Sequence, residues 1–252
     1  MSLRIAKFLA LGVLLQSACL TLAQQSVAQQ FIASAAALVN GPTAVNNVEL
    51  DGTLVHTSGS LIENGTIRIQ ANSIGRMRID TTYAQGSREE FYSGSQEPAD
   101  CAWTDQSGQL HPIAVHNCLT GGVSMAPLII ASYYSGTTDF TLSLASDTSG
   151  RAVITAYPTI AASSSVAALV QRSAQAQIVF DPNTYLPLVY RYRLHPDDNA
   201  ERDIPAEVRF SNYQATGGVQ VPRHIQRFVN GTLELDITIT NVVLNSTSTI
   251  TK

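Results

Sequence analysis

The chain has 252 residues, 44% hydrophobic but only 13% charged, with a net charge of −4. An average soluble domain is about a quarter charged, so uncharged polar residues must carry the surface, and roughly 19% of this chain is Ser or Thr. That balance excludes a basic nucleic-acid binder, an acidic disordered tail and a coiled coil, and β-branched Thr among aliphatic residues suits half-buried strands.

Residues 1–23 read as a secretory signal peptide, with Arg4 and Lys7 ahead of an apolar run from Phe8 to Leu15 that is short for a bilayer. Cleavage is expected after Ala23 or after Ala28, where Thr21-Leu22-Ala23 and Ser26-Val27-Ala28 present small side chains. The alternative is an uncleaved anchor. Lipidation of Cys19 is disfavoured because Gln16 stands where an aliphatic residue is needed. Cleavage removes two cations, so the charge of −4 becomes −6. Residues 24–252 are then expected as one periplasmic or secreted domain, monomeric and without a transmembrane segment.

Residues 29 to 40 carry apolar side chains at helical offsets and end at Asn40-Gly41-Pro42, which predicts a short amphipathic helix. Strand alternation follows at Val48 to His56, Thr66 to Gln70, Arg76 to Asp80 and Arg88 to Tyr92, a meander of antiparallel neighbours. From Ser93 to Gly122 the pattern is irregular. Within it, Ala102-Trp103-Thr104, a Gln106-Ser107-Gly108 turn and Gln109 to Ile113 resemble a hairpin with Cys101 and Cys118 at its base. In an oxidising compartment these two cysteines are expected to form a disulfide; the alternative is two buried thiols. His111 and His116 lie nearby, but the spacing lacks the short pairs of a zinc site, so neither metal nor cofactor is expected.

Met125 to Tyr134 is apolar nearly all round and predicts a buried or lid-like helix. Strands resume at Phe140 to Leu144 and Ala152 to Tyr157, and a helix is expected from Val166 to about Ala174. The last third alternates most clearly: Tyr190 and Tyr192, then Ala206, Val208 and Phe210, then Val221, Ile225 and Val229, then Leu233 to Ile239, with an Asn230-Gly231 hairpin turn. The expectation is a mainly β (α+β) fold: one curved antiparallel sheet or unclosed half-barrel of about nine to eleven strands, its concave face covered by about three helices.

The run Ile178-Val179-Phe180-Asp181-Pro182, Tyr185-Leu186-Pro187, Arg209-Phe210-Ser211-Asn212-Tyr213, Gly218-Val219-Gln220-Val221-Pro222 and Ile239 to Asn245 resembles the outer-membrane lipoprotein carrier superfamily, the LolA/LolB-like fold. The resemblance implies an unclosed antiparallel barrel with a helical lid over an apolar cavity that shields acyl chains. Ala71-Asn72 stands where the carrier proper has a lid-latching Arg-Pro step, and the Cys101–Cys118 region is longer than the carrier's pattern. The chain is therefore similar to the superfamily as a relative with its own ligand.

Candidate ligand contacts are Ile67, Ile69, Met77, Phe140, Leu142 and Leu144, on the apolar faces of their strands; the alternative is an ordinary dry core. The reading is a non-enzymatic envelope protein that binds a lipid or lipid-modified protein. Two alternatives stand: a structural or protein-interaction β domain with a self-filled core, and a serine hydrolase. For the last, Gly122-Val123-Ser124-Met125-Ala126 approaches a nucleophile elbow, with Asp181 and His195 following. The acidic loop His195 to Asp203 lacks the glycine and glutamate positions of a calcium loop. The outward pairs Arg76/Arg78 and Arg191/Arg193 read as stems covering apolar surface, the alternative being cations for an anionic lipid headgroup.

Overall fold

A computed structural model describes residues 25, 27–39, 44–94, 100–159, 164–196, 199 and 201–252. Residues 1–23 with the Ala23 cleavage site, the Asn40-Gly41-Pro42 stop and Asp197-Asp198 lie outside the described residues, whereas the alternative site after Ala28 falls in a described helix where Ala28 is fully buried. Strand β1 (Asn47–Ser58) opens a meander with β2 (Leu61–Asn72), β3 (Met77–Tyr83) and β4 (Gly86–Tyr92). The short β5 (Ala102–Thr104) and β6 (Leu110–Pro112) lead to helices α2 (Val115–Gly121) and α3 (Pro127–Ser135). Then come β7 (Phe140–Ser146), β8 (Ala152–Pro158), α4 (Ser164–Ser173), β9 (Ala176–Phe180), β10 (Pro187–Leu194), β11 (Ile204–Thr216), β12 (Val219–Val229) and β13 (Thr232–Leu244). Helix α1 spans residues 27–39.

All thirteen strands join one unclosed antiparallel sheet in the order β6-β5-β4-β3-β2-β1-β13-β12-β11-β10-β9-β8-β7. The expected nine to eleven strands are thus too few. The excess is the stapled hairpin, which pairs Trp103 with Glu90 and Ala102 with Phe91 and so extends the β4 edge. Helix α2 is also additional to the three expected. It has no side-chain cap, contains Asn117 and Thr120, and stands on tertiary contacts that local sequence does not encode. Asn117 exchanges two hydrogen bonds with the His195 backbone, at 2.9 and 3.0 Å, and Cys118 is disulfide-bonded to Cys101.

Alternation sorts the sheet into two faces. The inner face carries Leu50, Ile69, Met77, Tyr190, Val208, Ile225 and Ile237, all fully buried. Helix α1 lays Ile32 and Ala35 into the same core and sets Phe31 against Phe180 and Tyr185, with ring centroids 5.5 and 5.0 Å apart. Helix α3, opened by Pro127 where a missing N–H costs nothing, buries Leu128, Ile129, Ile130, Tyr133 and Tyr134. Gly75, at φ +85°, turns the β2–β3 connection so close to α3 that a Cβ there would overlap the Tyr133 ring. The outer face is polar and ion-paired, as in Arg68 to Asp51 at 2.7 Å and Arg78 to Asp80 at 2.8 Å.

Candidate ligand-binding site

The inner face has a covered part and an open end. In the covered part Phe140 meets Tyr133 and Tyr134 edge-on, with centroids 5.6 and 5.1 Å apart. The Tyr190 hydroxyl donates to the Thr120 carbonyl at 2.9 Å, so the Tyr134 hydroxyl donates to Tyr190 at 2.8 Å. Burial pushes both phenols above their ordinary range. This chain of hydroxyls pins α2 and α3 to β10. Of the six candidate contact residues, Ile67, Ile69, Met77, Phe140 and Leu142 are buried here, while Leu144 is half-buried against the same core. They share one core with Ile32 and Ala35 of α1 and with Leu128, Ile129 and Ile130 of α3.

The open end is a cavity of about 400 Å³. Ile79, Tyr83, Trp103 and Leu235 give it an apolar wall, and Arg88, Glu90, Arg227 and Glu234 give it a charged one. The sheet register brings these together: Glu90 lies opposite Ile79 and Trp103, and Arg227 lies opposite Leu235. Glu234 accepts two bonds from Arg227, at 2.8 and 3.2 Å, while Arg227 and Arg88 sit 3.6 and 3.3 Å from Glu90. The Tyr92 hydroxyl donates to Glu90 at 3.0 Å.

Burial pushes the Glu90 carboxyl up, but Arg227, Arg88 and the Tyr92 hydroxyl together hold it below the usual range. Burial works against the Arg227 charge, yet Glu234 and Glu90 carry its pKa well above the ordinary value. Arg88 lies 4.6 Å over the Trp103 ring, whose other contact is His111, stacked at 4.3 Å. His111 in turn faces Asp105, whose pKa is lowered to about 2, first by the Ser107 hydroxyl and then by the Gln109 N–H. An apolar pocket rimmed by fixed charges of both signs suits an amphiphile, with an apolar body and a polar end.

Sequence reasoning missed these residues, although the signal was present. Arg227 falls on the inward parity between Ile225 and Val229, and Arg88 and Glu90 fall on that of Tyr92. A charged residue on an apolar face is the informative exception.

Cys101 and Cys118 are joined as expected, both buried, with Cα atoms 5.9 Å apart. The elbow residues are not assembled. Ser124 is buried and donates to the Gly121 carbonyl at 2.8 Å, Asp181 accepts the N–H groups of Asn183 and Thr184, and His195 turns Nε2 to Asp203 at 3.0 Å. A different chain, Ser211–His224–Asp236, does form across β11, β12 and β13, at 3.1 and 2.6 Å. It lies on the outer face, and its three residues take no part in lining the open-end cavity. Among the described residues no cluster of three or more His, Cys, Asp or Glu could hold a metal, and no helix is long and apolar enough to cross a membrane.

No family model and no curated protein matches the sequence. Solved structures do match. A putative outer membrane lipoprotein-sorting protein domain from Vibrio parahaemolyticus aligns over 89% of this chain and 95% of its own, at TM-score 0.54 and 9% identity. A LolA superfamily protein from Nitrosomonas europaea aligns over 89% and 97%, at TM-score 0.54 and 10% identity. The chain has the LolA-like fold. A DUF1329 family protein from Desulfovibrio piger matches equally well, over 90% and 95% at TM-score 0.54 and 9% identity. The resemblance carried by the last third of the sequence therefore extends over nearly the whole LolA-like sheet.

Proposed function

We propose that the protein is an exported, non-catalytic binding protein of the cell envelope, whose half-barrel takes a lipid or the acyl part of a lipid-modified partner. Residues 1–23 are its signal and 24–252 its single domain in this reading. The observation that carries it is the amphipathic cavity at the open end of the inner face. Ile79 and Leu235 line that cavity and also belong to the core beneath α1 and α3, so one apolar surface runs from the mouth inward. A polar headgroup rests on the Arg88–Glu90–Arg227–Glu234 rim while the chain enters toward Met77, Ile69 and Ile67. Each CH₂ so buried contributes roughly 0.8 kcal/mol. Contact with Phe140, Leu142 and Leu144 further requires α1 and α3 to give way.

The second reading, a protein-interaction domain with a self-filled core, has its own support in the packing of Ile129, Ile130 and Tyr134 on the covered part. Native mass spectrometry of protein taken gently from the exported fraction separates the two. The binding reading expects an adduct of lipid mass that organic solvent removes. Apo protein alone, unchanged on adding fatty acid or phospholipid, contradicts it and favours the second.

A further inference from the structure

A second and larger cavity lies on the face opposite to the ligand mouth. It is a groove of about 640 Å³ on the outer side of β10 and β11, with Arg191, Arg193, Arg209 and Glu207 on its walls and Phe228 and Gln177 beside them. Three guanidinium groups thus meet two carboxylates, Glu207 between Arg191 and Arg209 and Asp203 beside Arg193. Glu207 stands directly opposite Arg191 in the ladder and accepts Nε–H from both neighbours, Arg191 at 2.7 Å and Arg209 at 2.5 Å. Held at Nε, both groups keep their terminal nitrogens available, and among the described residues no hydrogen bond to those nitrogens is found. Arg209 is fixed a second time, 4.2 Å over the Phe228 ring. Arg193 is steadied by Asp203 at 3.1 Å and by Gln175 at 3.2 Å.

The result is a row of pre-positioned cations. Arg193 and Arg191 are two residues apart on β10, about 7 Å. Arg191 and Arg209 are diagonal neighbours across the ladder, again about 7–8 Å apart. Alternate side chains of an extended peptide repeat at the same interval, about 7 Å.

We propose that this groove binds an acidic segment of a protein partner in extended conformation, carboxylates at alternate positions meeting Arg193, Arg191 and Arg209. Charge complementarity and recess favour this occupant. A planar anionic bilayer would have to reach into a recessed groove, which an extended chain enters directly. A single inorganic anion fills only a fraction of the volume and meets one step of the row. The proposal does not depend on what the inner cavity holds.

The test is fluorescence polarisation with a labelled peptide of alternating Asp and Ser, on the full mature chain. Saturable binding that weakens with salt is expected, and Arg191→Gln with Arg209→Gln should weaken it about tenfold or more. The two side chains are 40% and 53% exposed and both hold Glu207, so circular dichroism of the variant is recorded beside binding to show that it stays folded. The same charge change at Arg68 and Arg151, both away from the groove, should leave binding unchanged. Three results would overturn the proposal: no binding at low ionic strength, equal weakening by the Arg68/Arg151 pair, or groove-dependent capture by phosphatidylglycerol vesicles without peptide binding.

Discussion

The covered part and the open end of the inner face solve the same problem in opposite ways. Under α1 and α3, Ile69, Met77, Leu128 and Ile130 remove apolar area from water, and the Tyr134 and Tyr190 hydroxyls are satisfied by each other and by the Thr120 carbonyl. At the mouth, Glu90 and Arg227 are nearly as buried, yet they are ionised and held by each other, Arg88 and Glu234. Buried ion pairs rarely stabilise a fold as well as apolar side chains of equal volume, because desolvation offsets the attraction. The mouth is therefore not arranged for stability, which is the physical ground for placing the ligand's polar end there.

The largest expected effect breaks the mouth. Arg227→Met leaves Glu90 and Glu234 without their shared cation and should lower unfolding free energy by about 4 kcal/mol in urea titration. Replacing all three with Met or Leu should cost much less than this single change; an equal or larger loss would mean that the pairs hold the fold. In the covered part, Ile130→Ala should cost about 3 kcal/mol through the cavity it leaves. Removing the bridge with Cys101→Ser and Cys118→Ser, which span 17 residues, should cost about 3 kcal/mol in the chain-entropy account. Loss of activity is not the readout there; the shift in urea midpoint is.

The smallest effect is acid dependence. The folded Glu90 carboxyl titrates below the unfolded one, whose ordinary value is 4.5, so its contribution is present above that pH. It disappears as pH falls below 4.5 and through the lower folded value. Stability curves should therefore decline less steeply in acid for Glu90→Gln than for the parent. Parallel curves would show that Glu90 is not the group held down.

Alternation alone exposes most of the sheet, because a strand with one buried face repeats at two residues. The Leu54 to Tyr92 meander and the Tyr190 to Ile239 strands are legible for that reason. Short β5 and β6 pair over only three residues each, too few for a period, and hold their place through the Cys101–Cys118 bridge. Helix α2 is illegible because Asn117, Cys118 and Thr120 find their partners on β10, on the residue that follows it and on Cys101 just before β5. The site divides similarly. Apolar positions such as Ile69 and Met77 can be named from parity, whereas the Arg227–Glu90 pairing depends on strands 137 positions apart in the sequence becoming neighbours across the open mouth.

Trp103 is the single tryptophan of the chain and lines the mouth, with a much smaller recess of about 50 Å³ on its other side, so its fluorescence reports on this edge of the sheet. Titration with a brominated fatty acid, against its unbrominated parent, is the most direct test of ligand entry there. The account predicts saturable quenching of Trp103 by the brominated chain only, weakened by Arg227→Met. Equal fluorescence with both fatty acids at saturating concentration would contradict it.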